Sequence, residues 1–143
     1  MAWWQKDGRN CVLPYITSKS IVLEIGCGIG RVSRFMPPRC KDLYCTDVLE
    51  EALVQVKKNL ENFNNVFFQK TNGYDLNEFR EGYFDCVYSF TAFFHFDFEL
   101  VVNYFGEINR VLKPGGTGVI EFKKWINKQD VMQLLNKLKG EAG

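Results

Sequence analysis

The 143-residue sequence has a single histidine, His95, and none of its five cysteines forms a Cys-x-x-Cys pair. One imidazole and unpaired thiols supply neither a His-rich metal site nor a spaced set of cysteine ligands, so we expect no bound metal. The odd cysteine count and the lack of a basic-then-apolar leader also argue against a secreted disulfide framework. We therefore expect reduced thiols and a cytoplasmic localisation.

Long apolar runs and an excess of one charge are also missing. No apolar stretch approaches the roughly 20 residues that span a bilayer, so we expect no membrane partner. The 18 Lys and Arg residues balance 17 Asp and Glu residues, so the broad basic face that nucleic-acid phosphates require is not expected. With 46% apolar and 24% charged residues, the composition is typical of a globular protein, and residues 1–143 are expected to form a single domain.

Short β-branched or aromatic runs alternate with segments of helical period, which is the pattern of an α/β domain. The predicted strands are Ser20–Ile25, Asp42–Asp47, Val66–Gln69, Phe84–Ser89 and Val119–Phe122. The predicted helices are Arg31–Met36, Leu49–Glu61, Phe98–Leu112 and Gln129–Leu138, with Pro114-Gly115-Gly116 as the turn that closes the third. Short right-handed connections favour a doubly wound, mainly parallel, Rossmann-like sheet of order 3-2-1-4-5 with helices on both faces.

A glycine-rich turn follows the first predicted strand, in the run Glu24-Ile-Gly-Cys-Gly-Ile-Gly30. Glycines at alternate positions let a ligand approach bare backbone. Seventeen residues after Gly30, Asp47 ends the second predicted strand, where a carboxylate accepts hydrogen bonds from a ribose diol. The pairing predicts a ligand that contains a nucleoside. The structural alternative is a tight turn, with Asp47 as the N-cap of the following helix.

Dinucleotide-binding enzymes share this architecture, so the third glycine of their G-x-G-x-x-G pattern helps to distinguish the ligands. Counted from Gly26 the third glycine falls at Arg31, and counted from Gly28 it falls at Ser33. The first register fails, and Ser33 is only a small substitute for glycine in the second. The pattern weakens the NAD(P) interpretation without ending it.

Four segments of the sequence resemble the class I S-adenosylmethionine-dependent methyltransferases, in the order and spacing of that family. The segments are Val22–Gly30, Cys45–Asp47, Phe84–Ser89 and Ile108–Gly116. The resemblance implies S-adenosylmethionine (SAM) as the cofactor, with its methionine portion on the backbone of Gly26 to Gly30. It also implies that Glu24 helps to fix the ammonium group and that Asp47 binds the ribose. The implied cofactor-binding residues are Glu24, Gly26, Cys27, Gly28, Gly30, Asp47, Val48, Asn72, Gly73, Ser89 and Phe90.

The sequence departs from the family pattern at two places. Asn72 stands where the family commonly has an acidic residue that accepts from the adenine amino group, and its side-chain carbonyl keeps that ability. A solvent-exposed turn at Asn72-Gly73 is the alternative. The family's usual final antiparallel strand pair does not appear in these 143 residues. We expect either a five-stranded sheet, whose uncovered edge favours a homodimer, or a sheet that a partner protein or further sequence completes. Residues 1–19, which include Trp3 and Trp4, are expected to form a lid, and packing of these aromatic rings over the top of the domain is the alternative.

The expected activity is methyl transfer to an unidentified small-molecule or peptide acceptor. The sulfonium activates its own methyl group, so the protein must mainly orient the acceptor and exclude water. His95, about six residues after the fourth strand, is the candidate general base, and a packed loop residue is the alternative. A non-catalytic SAM-binding module that serves a partner protein is the second functional hypothesis. An NAD(P)-binding domain is the third.

Two motifs that the sequence lacks narrow the class of methyl acceptor. Ser89-Phe90-Thr91-Ala92 lacks the Asn/Asp-Pro-Pro-aromatic signature of similar amino-group methyltransferases. No Pro-Cys pair marks a cytosine C5 enzyme. Adenine and cytosine methylation of nucleic acid are therefore disfavoured.

Overall fold

Five strands form one parallel sheet in the structure, a computed structural model that describes residues 9–121 and, separately, positions 129, 132, 133, 136 and 140. The strands are β1 (Ile21–Ile25), β2 (Asp42–Asp47), β3 (Val66–Lys70), β4 (Phe84–Ser89) and β5 (Leu112–Ile120). Their order is β3-β2-β1-β4-β5. The α/β class and the strand order predicted from the sequence are confirmed.

Residues 9–121 also contain three α-helices and four 3-10 turns, of which the first helix and the first 3-10 turn precede β1. The helices are α1 (Arg9–Val12), α2 (Glu50–Asn59) and α3 (Phe98–Val111). The 3-10 turns are Leu13–Tyr15, Ser33–Phe35, Pro37–Arg39 and Ala92–His95. Within the described residues, no helix is both long enough and apolar enough to cross a membrane.

An apolar cluster covers each face of the sheet. Successive side chains of a strand point to opposite faces, so alternate residues of β1 and β4 belong to different clusters. Val22 of β1 and Tyr88 of β4 belong to an apolar cluster that includes side chains of α2. Leu23 and Val87 belong to a second cluster, which includes side chains of α3. The alternation places Glu24 on the α2 side of β1, although it is a carboxyl group in an otherwise apolar row.

The segment after the glycine turn differs from the α-helix predicted over Arg31–Met36. It forms the two short 3-10 turns Ser33–Phe35 and Pro37–Arg39 instead. The prolines that follow have no N–H to extend the hydrogen bonds of an α-helix in this segment. Pro37 and Pro38 do not simply stop a helix; they begin the second 3-10 turn, where the missing N–H costs little.

The strand β5 begins at Leu112, earlier than the predicted start at Val119, and includes the Pro114-Gly115-Gly116 run predicted as a turn. Leu112 pairs with Phe84 and Thr117 pairs with Cys86, so residues 113–116 bulge from β5 opposite a single residue of β4. Gly115 has a φ of +81°, which glycine adopts without strain. The positive φ of Gly115 is typical of the turn predicted here, but β5 pairs with β4 on both sides of this run.

Some predicted features lie outside the described residues. These are Trp3 and Trp4 of the expected lid, Phe122 of the fifth strand, and most of the predicted helix Gln129–Leu138. The lid and that helix therefore stay predictions.

Candidate functional site

The glycine turn lies at the carboxyl ends of β1 and β2 and is held there by backbone hydrogen bonds. The N–H groups of Gly26 and Cys27 both donate to the Thr46 carbonyl oxygen, each at 2.9 Å. Gly26 has a φ of +73°, and a Cβ at this position would lie 2.6 Å from the Cβ of Ala92. Only glycine therefore fits where the turn passes under the segment that follows β4.

Asp47, the last residue of β2, ties the glycine turn to the start of α2. Its Oδ2 accepts from the Gly28 N–H at 2.9 Å, and its Oδ1 accepts from the Leu49 N–H at 3.0 Å. The residue at the N-cap position of α2 is Leu49, which makes no side-chain capping bond. Asp47 is therefore not the N-cap; instead, its carboxylate positions two backbone segments at once.

Two cavities meet at the glycine turn, and both are lined by Gly26, Gly28 and Thr91. The larger has a volume of about 610 Å³, and its other lining residues are Glu24, Cys27, Ile29, Gly30, Arg31, Val32, Arg34, Asn59 and Phe90. The smaller has a volume of about 350 Å³, and its other lining residues are Ile25, Asp47, Val48, Thr71, Ala92, His95, Phe96 and Tyr104. A Cβ at Gly28 would meet no atom within 4 Å, so the space beside this residue is open.

Glu24 is a buried carboxyl group in the larger cavity, with 3% of its surface exposed. Its Oε2 accepts from the Tyr88 hydroxyl at 2.7 Å and also from the Ser33 hydroxyl. Burial raises the pKa of this carboxyl to about 7, because the charged form loses its hydration. The two hydroxyl donors lower the pKa without cancelling that effect, and the nearby Asp47 charge raises it further.

Four backbone N–H groups of the turn are already in use. The N–H groups of Gly26, Cys27, Gly28 and Gly30 all donate to acceptors within the protein. The turn is followed by short 3-10 turns rather than by an α-helix. A pyrophosphate is normally bound by free N–H groups at a helix N-terminus. With carboxyl groups at Glu24 and Asp47, the turn suits a ligand that donates hydrogen bonds better than it suits a pyrophosphate.

The structure places the predicted binding residues Val48, Asn72 and Gly73 differently. The Oδ1 of Asn72 accepts from two backbone N–H groups of its own turn, at 2.8 and 3.0 Å, and Asn72 lines neither cavity. Val48 and Thr71 line the smaller cavity. A Cβ at Gly73 would lie 3.1 Å from a methyl group of Val48, so this glycine allows the close approach of the two segments. Thr71 was missed, although its place directly after the third strand was visible in the sequence.

The segment after β4 contributes to both cavities. Ser89 is fully buried and its hydroxyl donates to the Ile25 carbonyl oxygen at 2.7 Å, so it joins β4 to β1 and lines neither cavity. Phe90 lines the larger cavity, and exposed His95 lines the smaller one together with Asp47. Thr91 has a φ of +69°, which is strained for a β-branched residue. No sequence pattern predicts this conformation.

The thiols of the described chain are unpaired. Burial raises the pKa of Cys40 to about 11 and that of Cys86 to about 12, so both are protonated at neutral pH. Among the described residues, no group of three or more His, Cys, Asp and Glu side chains is placed to hold a metal ion.

Comparison with known proteins identifies similar sequences over most of the chain. The profile of a family described as a methyltransferase domain matches residues 23–120. Sterol 24-C-methyltransferase from Eremothecium gossypii is 34% identical over 116 residues, which cover 78% of this chain and 30% of that protein. The chain thus matches less than a third of the length of this relative.

Solved structures share the fold. A TehB-like SAM-dependent methyltransferase from Corynebacterium glutamicum aligns with a TM-score of 0.73 at 17% identity, covering 91% of this chain and 70% of that one. Phosphoethanolamine N-methyltransferase 1 of Haemonchus contortus, solved with phosphoethanolamine and S-adenosylhomocysteine, aligns with a TM-score of 0.70 at 19% identity. That alignment covers 78% of this chain and 24% of that one. At these identities the likeness is one of fold alone.

Proposed function

The chain belongs to the methyltransferase-domain family, and on that premise we propose that it binds SAM and transfers the methyl group to a small-molecule or peptide acceptor. The observation that carries this proposal is the pairing of two carboxyl groups with a bare glycine turn. Glu24 lines one cavity and Asp47 the other, and the two cavities meet at Gly28.

The lining residues fit the parts of SAM. Asp47 accepts one backbone N–H on each carboxylate oxygen, and each oxygen keeps a further lone pair for a ribose hydroxyl. Glu24 offers a carboxyl to the ammonium group in the larger cavity. The open space at Gly28 lets one ligand occupy both cavities.

The remaining cofactor assignments follow the same division. The backbone of Gly26, Cys27 and Gly30 and the ring of Phe90 are proposed to hold the methionine portion. Val48 and Gly73 are proposed on the adenine side. An Asn72 contact with adenine needs its Oδ1 to exchange one of its turn hydrogen bonds. Ser89 acts by fixing β4 against β1.

Bound SAM supplies a methyl group that its own sulfonium has already activated, so the protein needs no nucleophilic side chain of its own. The residues around the two cavities orient the acceptor and exclude water from it. His95 lines the same cavity as Asp47 and is exposed enough to take a proton from an acceptor that must lose one.

Two alternatives are kept. An NAD(P)-binding domain is disfavoured by the occupied N–H groups of the turn and by the missing helix after it. A SAM-binding module that serves a partner protein shares the cofactor site with the enzyme hypothesis, so only an activity measurement separates them.

Calorimetry with SAM, S-adenosylhomocysteine and NAD tests the cofactor. We expect the first two to bind and NAD not to bind. Replacing Asp47 with alanine leaves the Gly28 and Leu49 N–H groups without their acceptor and removes the ribose contact, so SAM binding should weaken by about 1–3 kcal/mol.

The matched control is Asp85→Ala. Asp85 also accepts a backbone N–H, from Ile21 at 2.8 Å, but it lies at the amino end of the sheet. This variant should lose stability and keep its affinity for SAM. Binding of NAD without binding of SAM would contradict the proposal.

Release of S-adenosylhomocysteine across pools of small molecules and peptides tests the activity. Turnover with any acceptor supports the enzyme. Tight SAM binding with no turnover in any pool, with or without candidate partner proteins, would favour the module.

A further inference from the structure

The Glu24 carboxyl group sits in the middle of the sheet, and no described residue forms a salt bridge with it. In the strand register Glu24 of β1 stands between Cys45 of β2 and Tyr88 of β4. A hydrogen bond with Cys27, together with burial, raises the pKa of the Cys45 thiol well above its ordinary value, and burial does the same to the pKa of the Tyr88 hydroxyl. Both neighbours of Glu24 are therefore neutral at physiological pH.

The two oxygens of this carboxyl have different surroundings. Tyr88 and Ser33 both donate to Oε2, and no described residue donates to Oε1. Tyr88 and Ser33 are themselves fully buried, so their hydroxyl groups have no competing water. Glu24 lines the larger cavity, and the carboxyl therefore keeps one unused acceptor at the site where a ligand is proposed to enter.

The other charged groups around Glu24 do not neutralise it. Asp47, at the end of β2, has the same charge and disfavours ionisation of Glu24. Arg31 and Arg34 line the same cavity, but both side chains are exposed to solvent, which screens their charge. Cys27, on the glycine turn, lies close enough to interact with Cys45. An isolated buried carboxylate is costly, so the free protein holds Glu24 as the neutral acid over much of the range below neutral pH.

We infer that Glu24 gives up its proton when a cationic amino group enters the larger cavity, and that Tyr88 and Ser33 are positioning residues that hold the resulting carboxylate. This inference rests on the proposed function, which supplies the amino group of SAM. An ammonium group beside Oε1 gives the buried charge the opposite charge that the protein itself lacks. Ligand binding and proton release are then linked, and affinity depends on pH.

Calorimetry with S-adenosylhomocysteine tests the inference without relying on turnover. Titrations at pH 6.0 in two buffers of different ionisation enthalpy measure the protons released. The wild type should release close to one proton per ligand, and its affinity should fall roughly tenfold per pH unit below pH 7. The pH range stays below 7.0 because free α-amino groups titrate at about 7.7–8.0.

Variants identify the source of the proton. Glu24→Gln should release none and should bind with an affinity that does not change between pH 5.5 and 7.0. Tyr88→Phe removes one donor to the carboxylate, so more of the free variant is protonated at Glu24 and it should release more protons per ligand at pH 7.0 than the wild type does. Ser33→Ala also removes a donor to the carboxylate and should show the same change as Tyr88→Phe. It replaces Tyr88→Phe in the test if that variant does not fold.

The controls separate this linkage from general effects. Tyr83→Phe removes a hydroxyl group that forms a 2.8 Å hydrogen bond with the hydroxyl of Tyr44, and both residues line a different cavity. The proton release and the pH dependence of affinity of this variant should match those of the wild type. His95→Gln should keep the proton release, because the proton is proposed to come from Glu24. A loss of release in this variant would instead assign the proton to His95. A wild-type binding enthalpy that is the same in both buffers, or unchanged proton release from Glu24→Gln, would overturn the inference. Either result would leave the proposed function standing. If neither SAM nor S-adenosylhomocysteine binds, the proposed function fails and the inference fails with it.

Discussion

Glu24 is a carboxyl group with only 3% of its surface exposed, and this burial destabilises the fold at neutral pH. Its pKa is raised to about 7, whereas in the unfolded chain it keeps an ordinary value near 4.5. Between these values the folded protein binds more protons than the unfolded chain, so stability falls as pH rises from 4.5 to 7. The shift corresponds to a cost of about 3 kcal/mol above pH 7.

Glu24→Gln should therefore stabilise the protein at pH 8 by about 2–3 kcal/mol, because the amide keeps an acceptor for Ser33 and Tyr88 and carries no charge. The gain should shrink as pH is lowered and vanish near pH 4.5. Urea unfolding at several pH values measures this. Glu61→Gln, an exposed acid at the end of α2, is the control and should change stability little at any pH. A gain that does not depend on pH would show that the ionisation of Glu24 is not the cause.

His95 is the residue on which the catalytic hypothesis depends most directly. If it is the general base, His95→Ala should lower kcat roughly 100-fold while SAM affinity changes little. Steady-state kinetics with an identified acceptor measure both effects.

Thermal unfolding of the same variant is the control for His95. The side chain is exposed, so its removal should leave the melting temperature nearly unchanged. A lower melting temperature with normal turnover per folded molecule would instead assign His95 a packing role.

At the scale of elements, the glycine turn combines a packing requirement and a binding requirement at different positions. Gly26 is packed against Ala92, whereas Gly28 lines both cavities and a Cβ added there would meet no atom within 4 Å. Gly26→Ala should cost about 3 kcal/mol of stability, from strain at positive φ and the clash with Ala92. Gly28→Ala should cost only about 1–2 kcal/mol but should impair SAM binding, because its methyl group projects into the ligand space.

Gly82→Ala is the matched control for this pair. Gly82 also has a positive φ, of +63°, and open space around it, and it lines none of the cavities described above. It should show the same conformational cost as Gly28→Ala and normal SAM affinity. Urea unfolding and calorimetry together test the three variants. Equal loss of affinity at Gly28 and Gly82 would contradict the proposed ligand position.

At the scale of the whole molecule, the parallel sheet brings separate chain segments to one edge. The ends of β1, β2, β3 and β4 supply Glu24, Asp47, Thr71 and Phe90 to the two cavities. Since all the strands run in one direction, their carboxyl ends meet at the same place. The family match spans residues 23–120, which include all four of these residues.

The sequence by itself determined the strand runs, their order, the glycine turn and the position of Asp47. These features depend on neighbouring residues: an apolar run makes a buried strand, alternate glycines make a bare turn, and short right-handed crossovers leave few topologies. Local patterns were less reliable where tertiary pairing competes with them. The segment Arg31–Met36 lacks an α-helix, and β5 continues through Pro114-Gly115-Gly116.

Only the tertiary structure decided the environment of the site. The hydrogen bond from Tyr88 to Glu24 joins residues 64 positions apart, and it depends on the register of β1 against β4. The positive φ of Thr91 is likewise absent from any sequence pattern. The sequence offered both a turn and an adenine contact for Asn72, and only the structure shows that its Oδ1 is engaged in the turn. A residue's type shows whether it can ionise or donate, but its burial and its partners set the pKa, and both arise only when distant strands pack together.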